Sequence, residues 1–291
     1  MHTWLAISNA SAGSSDEETI AAVLAVLRGT AEVEHVATTD PDDLAATLAE
    51  HPDVDLVVSL GGDGSLHAVV QALHDADRLA TTPVGLVPFG TGNDFARTLD
   101  LPEDPLDAAH ALARGRVRRI DLLVDGSGTV VVNAAHVGIG AEAAARAEPF
   151  KKLLGPLAYA IGAVSTLFTR SSHARVTIDD DQLHGHVAQV AVGNGRFVGG
   201  GGELLPRAVV DDGKMDVAVA FASSTVTRIL YALHLRRGTH PDQDFVHYTR
   251  ATSVHVTGEH MRCTTDGELT DPAGEHGWQV MAGALAMRLP D

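Results

Sequence analysis

The chain has 291 residues, 45% of them hydrophobic, and a formal charge of −17. That length and apolar content suit one large domain or two ordinary ones and exclude a disordered chain. The charge excludes a general nucleic-acid binder, which needs a basic field, and the single cysteine, Cys263, excludes an intrachain disulfide and a thiolate zinc cluster and fits a reducing compartment.

The first 120 residues alternate strand and helix. Trp4 to Ser8 reads as a strand, and Ile20, Val23, Leu24 and Leu27 recur at helical spacing behind the acidic Asp16, Glu17 and Glu18. Val33 to Ala37 is a second strand. Asp40 then caps a helix that has Pro41 at its first position and Leu44 and Leu48 facing inward. Val54 to Leu60 is a third strand, followed by a helix marked by Leu66, Val69, Val70 and Leu73. Val84 to Val87 is a fourth, and Pro105 to Arg114 is a helix stopped by Gly115. The pattern predicts a parallel sheet with helices on both faces, whose ligands sit beyond the carboxyl ends of the strands.

Beyond about residue 117, strand-like runs dominate: Ile120–Val124, Val130–Asn133, Arg175–Ile178, Val187–Val192, Met215–Phe221, Val254–Val256 and Trp278–Met281. Asp125-Gly126-Ser127-Gly128 is a hairpin signal. Two helical inserts, near 141–170 and 223–237, interrupt a second, β-rich domain. The expected division is 1–120, with 284–291 returning to it, and 121–283.

Two glycine-rich turns carry the chemistry. Gly61-Gly62-Asp63-Gly64-Ser65-Leu66-His67 and Pro88-Phe89-Gly90-Thr91-Gly92-Asn93-Asp94-Phe95-Ala96-Arg97 each follow an apolar strand and open into a helix. Free backbone N–H groups and the helix dipole make such a turn an anion site. An Asp in each suggests one ligand with phosphates and a metal. The first turn lacks the Gly-Lys-Ser/Thr ending of a P-loop, so backbone N–H groups and metal must meet the phosphate charge. Asp63 makes sense orienting Mg²⁺ or its waters, or taking a proton from an attacking hydroxyl. Asp94 reads as a helix N-cap, a cleft residue, or both. Asp121 is a carboxylate in an apolar run and needs partners; a metal–water network shared with Asp63 and Asp94, or a salt bridge to Arg118 or Arg119, would serve. The 16 histidines show no zinc spacing and read almost all as surface or strand residues.

The two turns, in this order, resemble the diacylglycerol kinase catalytic-domain family, which includes sphingosine kinases and bacterial soluble lipid kinases, with NAD kinases as distant relatives. Asn9 with Gly13 resembles that family's first nucleotide loop, Thr39 a threonine near the nucleotide, and Gly193–Gly201 its glycine-rich stretch. The resemblance runs from Asn9 to about Trp278. It implies an α/β nucleotide domain followed by a β-sandwich-like domain, an active site in a cleft, and ATP with Mg²⁺. It further implies nucleotide contacts from Asn9, Thr39, Gly61, Gly62, Asp63, Gly64, Ser65, His67 and Thr91, and substrate-side roles for Asn93, Asp94 and Asp121. Pro206 to Asp216 resembles a loop that holds a structural Mg²⁺, here through the Asp212 carboxylate and the Val209 and Lys214 carbonyls. Thr265-Asp266-Gly267-Glu268 resembles the motif that carries the general base, with Glu268 the first choice and Asp266 the second.

The implied reaction is transfer of the ATP γ-phosphate to a lipid hydroxyl, above all diacylglycerol to phosphatidic acid. An NAD kinase-like enzyme and a non-catalytic nucleotide-binding regulator are the alternatives. The N-terminus lacks the features of a secretory signal, so a cytoplasmic protein is expected. Arg146, Lys151, Lys152 and Arg170 flank the apolar run Leu153–Phe168, a pattern that suits peripheral contact with an anionic membrane. A homodimer is left open.

Overall fold

The computed structural model describes residues 2–10, 14–138, 141, 172–222 and 224–290. Its contacts divide the chain into a first unit, Met1–Leu122 with Met281–Asp291, and a second, Leu123–Val280.

The first unit is built from β1 (Thr3–Asn9), α1 (Ser14–Arg28), β2 (Glu32–Thr38), α2 (Pro41–Glu50), β3 (Leu56–Gly61), α3 (Asp63–Asp75), β4 (Val84–Pro88), α4 (Asp94–Thr98), α5 (Pro105–Arg114) and the start of β5 (Arg116–Asp125). Strands β2, β1, β3 and β4 lie side by side, all parallel, with Ala6 opposite both His35 and Val58, and Val58 opposite Gly85. Strands β1, β3 and β4 are buried on both faces, which is why they read as continuous apolar runs, whereas β2 at the sheet edge mixes buried and exposed positions. Trp4, Ala6, Val58, Leu60 and Val87 pack on α1 and α5 through Val23, Leu24, Leu27, Ala109 and Leu112. The helix starts follow local chemistry. The Asp40 side chain accepts the Asp43 N–H at 3.0 Å, Asp104 accepts those of Leu106 and Asp107, and each cap is followed by proline.

The second unit holds β6 (Val130–Val131), β7 (Ala134–Gly138), β8 (Ser172–Ile178), β9 (Asp181–Val187), β10 (Gln189–Gly193), β11 (Phe197–Val198), β12 (Gly202–Glu203), β13 (Met215–Ala220), α6 (Thr225–Leu235), β14 (Val246–Ala251), β15 (Ser253–Met261), β16 (Cys263–Thr265), β17 (Glu268–Leu269) and the start of β18 (Ala273–Leu289). One antiparallel sheet runs β14-β13-β10-β7-β16-β17, and a second set pairs β18, β15, β8 and β9. Alternate side chains fill one core, with Val137, Val190, Val192, Val217 and Cys263 joining Val176, Val254, Val256 and Trp278. Its composition is β-branched and Trp-anchored, as a sandwich core requires. The end of β18 belongs to the first unit, where Met287 pairs with Val84 of β4 in parallel.

Histidines depart from their reading as surface or strand residues. His67 on α3 is 8% exposed, and His240, in a short 3-10 turn, is fully buried. The His240 Nε2 binds the Leu204 carbonyl at 2.9 Å, while its Nδ1 is buried without a hydrogen-bond partner among the described residues.

Candidate functional site

The first glycine turn is shorter than its motif. Strand β3 runs to Gly61, Gly62 is the N-cap, and α3 begins at Asp63, so Asp63, Gly64, Ser65 and His67 stand on a helix and not in a loop. The first N–H groups of a helix lack intrahelical acceptors. A Cβ on Gly64 would meet nothing within 4 Å. Packing therefore does not explain that glycine, and the backbone beside it is open.

The second turn lies directly against the first. A Cβ on Gly90 would stand 2.6 Å from Gly62 Cα and 2.7 Å from Asn93 Oδ1, so only bare backbone fits there. Asn93, at φ +49°, closes its own turn: its Oδ1 accepts the Gly90 N–H at 3.0 Å and its Nδ2 donates to the Gly90 carbonyl at 2.7 Å. Asn93 was expected to face substrate, but its amide is occupied in shaping the turn.

Asp63 joins the two turns. Its Oδ2 accepts the Asp94 N–H at 3.0 Å and its Oδ1 the Phe95 N–H at 2.9 Å, so it caps α4 from another segment. Asp63 thus has a structural role beside the metal or proton role expected of it. The negative charge satisfies orphan donors at a positive helix end. Asp94 is 5% exposed and pairs with Arg97 at 3.2 Å. Arg97 also donates to the Gly92 carbonyl at 3.1 Å and to Glu103 at 3.2 Å. Arg97 is the clamp that sequence reasoning missed, although its three-residue spacing from Asp94 is a visible signal.

The other residues of the first unit take distinct places. Thr91 and Gly64 are exposed beside the paired turns. Gly61 tolerates no Cβ because the Ser65 side chain fills that space. His67 is among the buried residues of α3, which withdraws it from the nucleotide contact expected of it. The Thr39 hydroxyl bonds Asp40 and Asp43 at 3.1 and 3.2 Å and so belongs to the α2 cap. Asn9 lines a cleft of about 300 Å³ with Ser8, Ala10, Ile20, Leu24 and Ala37, at the carboxyl end of β1. Asp121, 2% exposed, accepts the Gly283 N–H at 2.7 Å, which ties β5 to the end of β18; Arg119 instead donates to the Ala80 carbonyl.

In the second unit the two base candidates separate. Asp266, at φ +47°, accepts the N–H groups of Val132, Asn133 and Ala134 at 2.8, 2.9 and 3.0 Å. Both of its oxygens are thus engaged by the backbone of another segment. Glu268, two residues on at the start of β17, is exposed. A groove of about 780 Å³ opens beside this hairpin, lined by Thr265, Thr270, His255, Glu275, His276 and Trp278 among others.

The loop expected to hold Mg²⁺ is closed by other means. Asp212 Oδ2 pairs with Arg250 at 2.6 Å and its Oδ1 accepts the Lys214 N–H at 3.1 Å, across Gly213 at φ +74°. A guanidinium already neutralises the carboxylate, so Val209, Asp212 and Lys214 do not fit a cation in this arrangement. The basic residues Arg146, Lys151, Lys152 and Arg170, and the run Leu153–Phe168, lie outside the described residues, as does Gly13.

Comparison with known proteins agrees with this layout. Residues 3–124 match the diacylglycerol kinase catalytic domain, and residues 130–288 match the YegS C-terminal NAD kinase beta sandwich-like domain. The chain is 37% identical over 216 residues to a protein of Xanthomonas campestris named "probable lipid kinase YegS-like", covering 71% of this chain and 70% of that one. It is 36% identical over 187 residues to the protein of that name in Stenotrophomonas maltophilia, covering 62% of this chain and 60% of that relative's length. A crystal structure titled as a diacylglycerol kinase from Bacillus anthracis shares the fold, with a TM-score of 0.80 at 23% identity over 99% of this chain and 96% of that one. With its second match alone spanning more than half its length, the chain belongs to the YegS-like family, in which a diacylglycerol kinase catalytic domain precedes a YegS C-terminal β-sandwich-like domain.

Proposed function

We propose that the protein is an ATP-dependent lipid kinase that transfers the γ-phosphoryl group to a lipid hydroxyl, with diacylglycerol the acceptor and phosphatidic acid the product. The observation that carries this reading is the paired-turn cradle: an open helix N-terminus at Gly64 and Ser65, packed backbone to backbone on the Gly90 turn and locked there by Asp63. Such a cradle suits phosphate oxygens, and the family match supplies the reaction class.

The proposed roles are these. Gly62, Gly64, Ser65 and Thr91 offer N–H and hydroxyl donors to the phosphates. The cleft beside Asn9 offers apolar walls, Ile20, Leu24 and Ala37, to a nucleoside. Thr39 and Asp121 act at one remove by holding their loops. Glu268 takes the acceptor proton as that oxygen bonds to the γ-phosphorus and the bond from phosphorus to the β–γ bridging oxygen breaks, releasing ADP. Mg²⁺ bound with the nucleotide would neutralise phosphate charge, and Asp63 and Asp94 are the carboxylates of the paired turns that would orient it or its waters. In this reading the lipid is met at a bilayer surface on the cytoplasmic side; no described helix is long and apolar enough to cross a membrane.

The test is phosphoryl transfer from labelled ATP to diacylglycerol in detergent micelles, with NAD in a parallel arm. Lipid product is expected, and Glu268→Gln should lower kcat by about a hundredfold or more without moving the melting temperature. ATP binding with no lipid phosphorylated refutes the reading, and turnover on NAD replaces it with the NAD kinase alternative.

A further inference from the structure

Apolar side chains on the described surface are concentrated in one place. Seven large hydrophobic residues are exposed, and four of them, Val226 (65%), Ile229 (42%), Leu230 (40%) and Leu233 (48%), lie on α6. Their i, i+3, i+4, i+7 spacing sets them in one stripe along the helix. The opposite side is spent on the protein. Tyr231 is buried against Ala188, Ala220, Ala222 and Val246, and buried Arg228 donates to the Ala222 carbonyl at 3.1 Å. A capping box at Ser224 and Thr227 fixes the helix start.

The stripe ends in cations. Arg236 is the helix C-cap and Arg237 follows it, just beyond the end of the stripe. Both are exposed, and neither forms an ion pair with the described residues. Two unengaged guanidinium groups side by side are notable in a chain of net charge −17.

We propose that this face of α6 docks the protein on an anionic bilayer, with the four aliphatic side chains in the headgroup–acyl boundary and Arg236 and Arg237 against lipid phosphates. Charge decides the occupant: the free cations complement an anionic surface. Size argues against a second copy, since the stripe offers on the order of a few hundred Å² where a stable interface needs roughly 800 Å² per partner. The aliphatic stretch also lacks the aromatic anchors that dominate protein hot spots. The proposal extends the lipid-kinase reading to the surface that meets the acceptor's membrane, but it is measured without turnover.

The experiment is vesicle sedimentation of the full chain with phosphatidylcholine vesicles with and without phosphatidylglycerol. Binding is expected to need the anionic lipid. The pair R236E/R237E should weaken it by at least about 25-fold, near fivefold for each charge, and the pair I229S/L233S by about tenfold or more. Val226→Gln, at the most exposed position, should weaken it without disturbing the fold even if the double variant does not fold. Wild-type affinity in the charge-reversed pair or in a folded apolar variant overturns the proposal, as does failure of the wild type to bind anionic vesicles. A dimer in light scattering that I229S/L233S disperses assigns the face to a second copy instead. Micellar turnover with no vesicle binding refutes this docking surface and leaves the kinase reading standing; vesicle binding with no micellar turnover does the reverse.

Discussion

Asp63 and Asp266 show how one side chain type reads differently once its neighbours are known. Each looks catalytic in sequence, and each spends its carboxylate on backbone N–H groups of a distant segment. Asp63→Ala should therefore lower unfolding stability by about 1–3 kcal/mol, because two N–H groups at the α4 start lose a charged acceptor. A urea denaturation midpoint unchanged in that variant would return Asp63 to a purely chemical role. His240 sets a pH dependence. Burial pushes its pKa down to about 4, further lowered by Arg207 and His234 and opposed by the Leu204 carbonyl and Asp242. An unfolded histidine protonates near 6.5, so its contribution is complete above that pH and is lost as pH falls from about 6.5 to 4. The loss amounts to roughly 3 kcal/mol. Melting temperature should fall over that window while the His240 ring resonances stay those of a neutral imidazole above about pH 5. A ring that titrates near 6.5 in the folded protein would contradict this.

At the scale of elements, the join between the end of β3 and the turn after β4 matters most. Gly62 and Gly90 are both glycine because the two backbones touch, a relation that neither motif reveals alone. In Gly90→Ala the new Cβ meets backbone at Gly62, which cannot move aside like a flexible side chain. We expect a loss of about 1–3 kcal/mol, the range for overpacking, together with weaker ATP binding. Thermal melts and nucleotide titration on the same sample check both, and an alanine variant as stable as the wild type would show that the turns can part. Local elements were the most legible part of the sequence. The cap at Asp40, the proline starts and the helix stop at Gly115 are short-range chemistry, written within four residues. The partners of Asp121, Asp212 and Asp266 were not legible, because Gly283, Arg250 and Val132 lie from 38 to 162 positions away.

The whole chain is stitched by its ends. Leu285, Met287 and Leu289 are at most 4% exposed and lie in the first unit, although they follow the second in sequence. A fragment of residues 1–122 should then fail to fold, since β4 loses its parallel neighbour and Gly115 loses the backbone of Leu289 packed beside it. Appending residues 281–291 through a flexible linker should restore a cooperative melt. A stably folded 1–122 fragment would show that the returning strand is dispensable.

The sequence by itself determined the alternation of strand and helix, the β-rich second half and the presence of two phosphate-type turns, because periodicity and glycine placement are local consequences of backbone geometry. Tertiary structure alone decided which carboxylates the fold itself engages. Hydrogen-bond donors reach Asp63, Asp212 and Asp266 from remote segments, while Glu268 stays exposed, and no local pattern encodes which distant N–H or guanidinium a carboxylate will meet.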